Sequence, residues 1–317
     1  YKESNVIGHF SLIISNFLKL SIEVLSAEIL NNKTYTFTFS QPVNQFIIGF
    51  SQFLLEYPEL DHHLQKISVD LTNVHQQDNK ILVIPRLRMS DASNNTESLD
   101  CKITVVVLAA IGKKSLNIYM KTGLKANVDY NFPLTNPTFV GSALTNSSVQ
   151  YKEDDHHRSK FSSKIETVVN SNSFKMNGYS KIQDSRKNSS AGYVNGSVFI
   201  YNGTDHKILG SSFTSEKEGN SVLVKLGECS EEINPKQYKL ACFINSFELL
   251  FKNSSDHHVK KIEVSCELDN ENIVEDKGSL YAKIFLKSLL IDDGRNRSDL
   301  PNNSVSGFVV AFKNDNQ

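Results

Sequence analysis

Phe53-Leu54-Leu55-Glu56-Tyr57, a short turn, and then Asp61-His62-His63-Leu64-Gln65-Lys66-Ile67-Ser68-Val69 decide how the chain folds, because the pattern returns downstream. It recurs as Phe247 to Phe251, a turn, and Asp256-His257-His258-Val259-Lys260-Lys261-Ile262-Glu263-Val264. An eroded copy lies between them: Val149-Gln150-Tyr151, a turn, and Asp155-His156-His157, with Lys164-Ile165 following. The three Asp residues stand 94 and then 101 residues apart, so one unit of about a hundred residues is repeated in tandem.

Two further landmarks follow each copy. The first is a turn: Leu87 to Asp91 with Asn94, Ile182 to Asp184 with Asn188, and Ile291 to Asp293 with Asn296. The second is a closing strand: Leu99 to Val105, Val194 to Val198, and Val305 to Val310. Between landmarks the residues alternate, as in Thr34-Tyr35-Thr36-Phe37-Thr38-Phe39, which is the period of a half-buried strand. Helical periodicity is nowhere sustained. Six or seven such runs per copy, joined by Asn, Asp, Ser and Gly turns, predict an all-β chain. The expected form is a tandem array of three antiparallel β-sandwich modules, immunoglobulin-like or lectin-like. The boundaries fall at 19–112, 113–204 and 205–317, with residues 1–18 left over as an N-terminal strand.

Composition removes several classes of partner. Lys and Arg number 34 against 35 for Asp and Glu, so no net field attracts nucleic acid. The longest apolar runs, Ile103 to Ile111 and Ser11 to Leu20, are too short or too interrupted to span a bilayer as a helix. No nucleophile elbow, phosphate-cradling Gly loop or paired metal motif appears, so neither an enzyme nor a cofactor is expected. Nine Asn-x-Ser/Thr sequons, at Asn32, Asn94, Asn146, Asn188, Asn195, Asn202, Asn253, Asn296 and Asn302, favour a glycosylated protein at or outside the cell surface.

Asp61, His62, His63, Asp256, His257 and His258 are the candidate metal ligands, being His and Asp clustered at the triplets. Neighbouring strand residues face opposite ways, so adjacent histidines cannot share an ion without bulging the strand. A turn-fixing role for the Asp is the expectation, with no metal bound. The Asp/Asn turns likewise supply one carboxylate each, too few for calcium. Of the four cysteines, Cys242 and Cys266 are expected to face each other across a hairpin centred on Ser254 and to form a disulfide. Ile48 with Leu71 and Val140 with Ile165 are the expected counterparts. Cys101 and Cys229 are left without an assignment.

The segment Val6-Ile7-Gly8-His9-Phe10-Ser11-Leu12-Ile13 repeats the closing-strand pattern, giving four such strands for three module bodies. A surplus apolar strand is a liability on a sheet edge. Inserted into the next subunit, with Val6, Gly8, Phe10, Leu12 and Ile14 setting register, it would build a head-to-tail homopolymer. If it instead completes its own first module, the surplus passes to Val305–Phe312. The functional expectation is therefore an extracellular structural or adhesive repeat glycoprotein that self-assembles. The alternative is a multivalent carbohydrate-binding protein, whose exposed Tyr130, Tyr151 or Tyr193 would serve as platforms in the absence of Trp.

Overall fold

The computed structural model describes residues 21–57, 64–90, 100–112, 117–151, 158–184, 188–204, 207–215, 220–229, 234–251, 258–300 and 302–313. It is all-β. Among the described residues the only helical element is one short 3-10 turn, Pro235–Gln237.

The strands come in three successive sets. The first contains β1 (Ser21–Leu30), β2 (Tyr35–Thr38), β3 (Val43–Glu56), β4 (Lys66–Asp70), β5 (Val74–Gln77), β6 (Lys80–Val83), β7 (Arg86–Ser90) and β8 (Asp100–Ile111). The second contains β9 (Ile118–Lys125), β10 (Val128–Asn131), β11 (Phe139–Gln150), β12 (Arg158–Asn170), β13 (Ser173–Asp184), β14 (Ser189–Ala191) and β15 (Tyr193–Tyr201). The third contains β16 (Ile208–Thr214), β17 (Ser221–Glu228), β18 (Tyr238–Leu250), β19 (Val259–Asp276), β20 (Ser279–Asp292), β21 (Arg297–Asp299) and β22 (Ser304–Lys313).

One pairing scheme serves all three sets. The first, last and third long strands lie side by side as β1-β8-β3, β9-β15-β11 and β16-β22-β18. Each third strand then takes a partner from another set: β11 pairs with β4, β18 with β12, and β3 with β19. Those three antiparallel pairings close a cycle through the chain. Each large sheet is therefore composite, drawing some of its strands from one third of the sequence and the rest from another. No large sheet is thus confined to one of the three expected modules.

The exchange happens at a β-bulge in the same place in every set. The register shifts between Phe50 and Gln52, between Leu144 and Asn146, and between Ile244 and Ser246. Foreign strands join just after it, at Gln52, Asn146 and Ser246. A bulge adds twist and bends the strand, which turns its free edge toward the neighbouring set. The bulged Thr145 carbonyl itself accepts from the Leu71 N–H of the first set at 2.8 Å.

The connections carrying the Asp-His-His triplets link different sheets. β3 leads to β4, β11 to β12 and β18 to β19, and in no case are the two strands paired. The strands on either side of each triplet do not form the hairpins expected from sequence. Alternation reveals which face a residue occupies, but a strand that pairs with its predecessor and one that joins another sheet share the same alternation.

Composite sheets also explain the unbroken apolar run of β8. From Val105 to Ile111 every residue of β8 is buried. A strand covered on both faces reads as continuous apolar sequence. One face of β8 joins the large core with Phe50, Leu144 and Val309. The other builds a second core from all three sets, with Ile47, Ala143, Phe199, Phe243 and Phe308 among its members. There the third strands meet: a Cβ on Gly49 would lie 2.8 Å from Ala143 Cβ and 2.9 Å from Phe243 Cδ1. Equivalent positions thus hold Gly, Ala and Phe, two small residues making room for one large ring, which stacks on Phe308 at 4.9 Å.

Candidate functional site

Two grooves of like position lie on the outward faces of β12–β13 and β19–β20. Each is bounded by a short fringe strand, β14 or β21, added to the sheet by pairing with β13 or β20. Each contains one exposed aromatic ring.

In the third set the groove encloses about 340 Å³ around Phe285, which is 42% exposed. Glu267 stands directly across from it on β19, and Lys287, Asn220, Arg297 and Asp299 complete the polar rim. Lys283 Nζ sits 4.9 Å from the ring centroid and is held by Asp269 at 2.9 Å. Arg297 Nε donates to Asp299 at 2.9 Å. In the second set the groove encloses about 300 Å³ around Tyr179, which is 40% exposed. Lys181 Nζ lies 5.3 Å from that ring, and Ser162, Ser189 and the Lys160–Glu248 ion pair at 2.7 Å form the rim.

Neither ring is needed by the fold. Val264 pairs with Ser288 as Ser163 does with Ser180, so the counterpart of Phe285 is Asn177 and that of Tyr179 is Lys287. Where one copy exposes an aromatic, the other tolerates a polar side chain. An amphipathic groove of this kind, one apolar ring face beside hydrogen-bonding groups, suits a ligand with both C–H faces and hydroxyl edges. Sequence reasoning missed Phe285 because it sought platforms only among tyrosines. The signal was present in the mismatch between copies.

The tyrosines expected to serve are placed differently. Tyr151 is 3% exposed. Tyr130 stacks on Phe174 at 5.4 Å, and its hydroxyl accepts from the Lys125 N–H at 2.8 Å. Tyr193 is 59% exposed but lines neither groove.

Asp61, His62, His63, Asp155, His156, His157, Asp256 and His257 lie outside the described residues, as do Asp91, Asn94, Asn253 and the assembly strand Val6, Gly8, Phe10, Leu12 and Ile14. His258 is described: its Nδ1 lies 3.2 Å from Asp293 Oδ2, and its carbonyl accepts from the Asp293 N–H. Among the described residues no three His, Cys, Asp or Glu side chains converge as a metal site. The Asp/Asn turns are clamps. Asn188 donates its backbone N–H and its amide to the two oxygens of Asp184, at 2.7 and 2.8 Å. Asn296 does the same to Asp292, at 2.6 and 2.7 Å, which corrects the assignment of that role to Asp293.

Cys242 and Cys266 do meet, though not as hairpin neighbours. β18 and β19 belong to different sheets, and the pair faces across the core between them with sulfurs 3.7 Å apart. Both are free thiols, so the expected disulfide is not formed, and the register behind it is corrected. The shared bulge aligns Cys242 with Ile48 and Ser142, so Ser142 and not Val140 is its counterpart. Burial pushes the Cys101 thiol up to about 12. The Cys266 thiol is likewise raised well above its ordinary value, chiefly by burial.

The described sequons differ sharply. Asn32 is exposed in a left-handed turn at φ 58°. Asn146 is 2% exposed in β11, between Asp70 and Asn195 of the flanking strands. The C-terminal strand is not surplus: β22 lies between β18 and β16. No helix among the described residues is long and apolar enough to cross a membrane. Neither a protein-family model, nor a curated protein, nor a solved structure matches this chain.

Proposed function

We propose that the protein is a non-catalytic, extracellular adhesive glycoprotein that binds carbohydrate at several places on one body. The observation that carries this reading is the pair of like-placed grooves, each with one exposed ring, Phe285 or Tyr179, amid polar side chains. A pyranose offers a C–H face to such a ring and hydroxyls to its rim. Two weak sites on one rigid frame gain avidity on a surface that displays many copies of a glycan. The exposed sequon at Asn32 supports an extracellular setting.

A glycan array with the intact protein tests the reading. Selective binding that falls at least tenfold in a Phe285→Ala, Tyr179→Ala double variant is the expected result. Absence of binding to any glycan, or binding indifferent to both substitutions, would overturn it. Self-assembly is a second reading, favoured by the outermost strands β1, β9 and β16, each paired on one side among the described residues. Electron microscopy of the same preparation decides it: filaments support strand exchange, and discrete particles exclude it.

A further inference from the structure

The Tyr179 groove does not end at the edge of its own set. Thr214 pairs with Ser306, Ser306 with Ser246, Ser246 with Lys164, and Lys164 with Tyr179. Residues directly opposite one another in antiparallel strands share a face. These five side chains therefore form one row across β16, β22, β18, β12 and β13. At about 4.8 Å between strands the row is about 19 Å long.

Beside the hydroxyl end of this row runs a second cleft, of about 350 Å³, at the junction of the second and third sets. Its floor is Thr214, Ser306, Ser246 and Lys164, and its opposite wall carries Ser142 and Thr167. Hydroxyl pairs lie on both sides: Ser306 Oγ donates to Thr214 Oγ1 at 3.1 Å, and Ser142 Oγ to Thr167 Oγ1 at 2.7 Å. Lys164 is balanced by Glu166 at 2.8 Å, so the ion pair leaves the floor without a net charge. The corresponding cleft between the first and third sets is mixed, with Val24, Val106, Leu240 and Leu268 beside the two thiols and Ser26, Ser51, Lys239 and Glu267. The junction of the first and second sets is bridged by Ser197, whose Oγ donates to the Ile48 carbonyl at 2.6 Å and lies 2.7 Å from the Thr122 hydroxyl.

We infer that the Tyr179 groove and the hydroxyl-lined cleft form one extended site that takes an uncharged oligosaccharide several sugars long, with one sugar on the Tyr179 ring and the rest along the row toward Thr214. This rests on the carbohydrate reading above and adds to it the length, charge and direction of the ligand. An ion-paired floor with hydroxyls on both walls offers alternating donors and acceptors to neutral hydroxyls. Along the cleft floor a polyanionic glycan would meet no uncompensated cation, and Lys181 over the Tyr179 ring is the cation at the other end of the row.

The test uses the intact chain and an array that displays each neutral determinant at lengths of one to five sugars. Affinity is expected to rise at least tenfold between one and four sugars. A Thr214→Val, Ser306→Val double variant removes both partners of an exposed hydrogen bond and places side chains of high β-propensity in the strands, so the fold is retained. It should abolish that rise while leaving monosaccharide binding unchanged, whereas Tyr179→Ala should weaken all lengths. Length-independent affinity, or a length dependence untouched by the double variant, overturns the extended site and leaves the carbohydrate reading standing. If no glycan binds at any length, both fall.

Discussion

The sulfurs of Cys242 and Cys266 lie 3.7 Å apart on strands of two different sheets. A bond between them would tie β18 to β19 across the core and close a loop of about 25 residues, worth about 2–4 kcal/mol in the loop-entropy model. At equilibrium with a disulfide buffer these two cysteines should therefore be the pair that links, and the bond should raise the melting temperature. Peptide mapping without reduction checks this. Linkage of Cys101 or Cys229 in preference would show that the two sheets are not held this closely in solution.

Alkaline stability follows from the buried thiols. The Cys101 thiol is raised to about 12 in the folded chain, against an ordinary value near 9, because burial disfavours the thiolate. A raised folded value means that the unfolded chain gives up its proton first. The contribution is fully present below about pH 9 and is lost as pH climbs from there toward about 12. Between those limits each such thiol steepens the loss of stability by about 1.4 kcal/mol per pH unit. Urea titrations at pH 8, 9.5 and 11 should show the decline, and Cys101→Val should flatten it by one proton.

Gly49 tests the inner core. Because its missing Cβ would fall within 3 Å of both Ala143 and Phe243, Gly49→Ala should cost about 1–3 kcal/mol by overpacking. Shrinking the opposing ring with Phe243→Leu should be more harmful alone than in combination with Gly49→Ala. A double-mutant cycle that is simply additive would mean that these positions do not touch.

Glycan occupancy should separate the sequons. In a secreting host, Asn32 is expected to carry a glycan, and Asn146, at 2% exposure, to be bare in all folded material. Glycopeptide mass spectrometry reads both. A glycan on Asn146 of native protein is incompatible with β11 in its sheet.

Much of this was written in the sequence, but unevenly. Alternation placed the strands and repetition placed the three copies, because each is a local property of spacing. Partnership is not local. Nothing in Gln52–Glu56 distinguishes pairing with residues 66–70 from pairing with Lys261–Ser265, since both offer the same alternating edge. The unbroken run at Ile103–Ile111 was the available clue, for a strand with one wet face does not need it. The grooves were harder still. Phe285 looks like any core aromatic until register shows Asn177 in its place.

The pairing of β3 with β19 has one more consequence. Lys261 Nζ reaches Glu56 Oε2 at 3.0 Å across a sequence separation of 205 residues, so the first third of the chain is clasped by the last. Such a fastening forms only after most of the polypeptide exists, and its high contact order makes maturation slow. Once shut it works like a belt buckle: a protease nick in any single surface connection leaves every segment gripped by strands on either side of the cut.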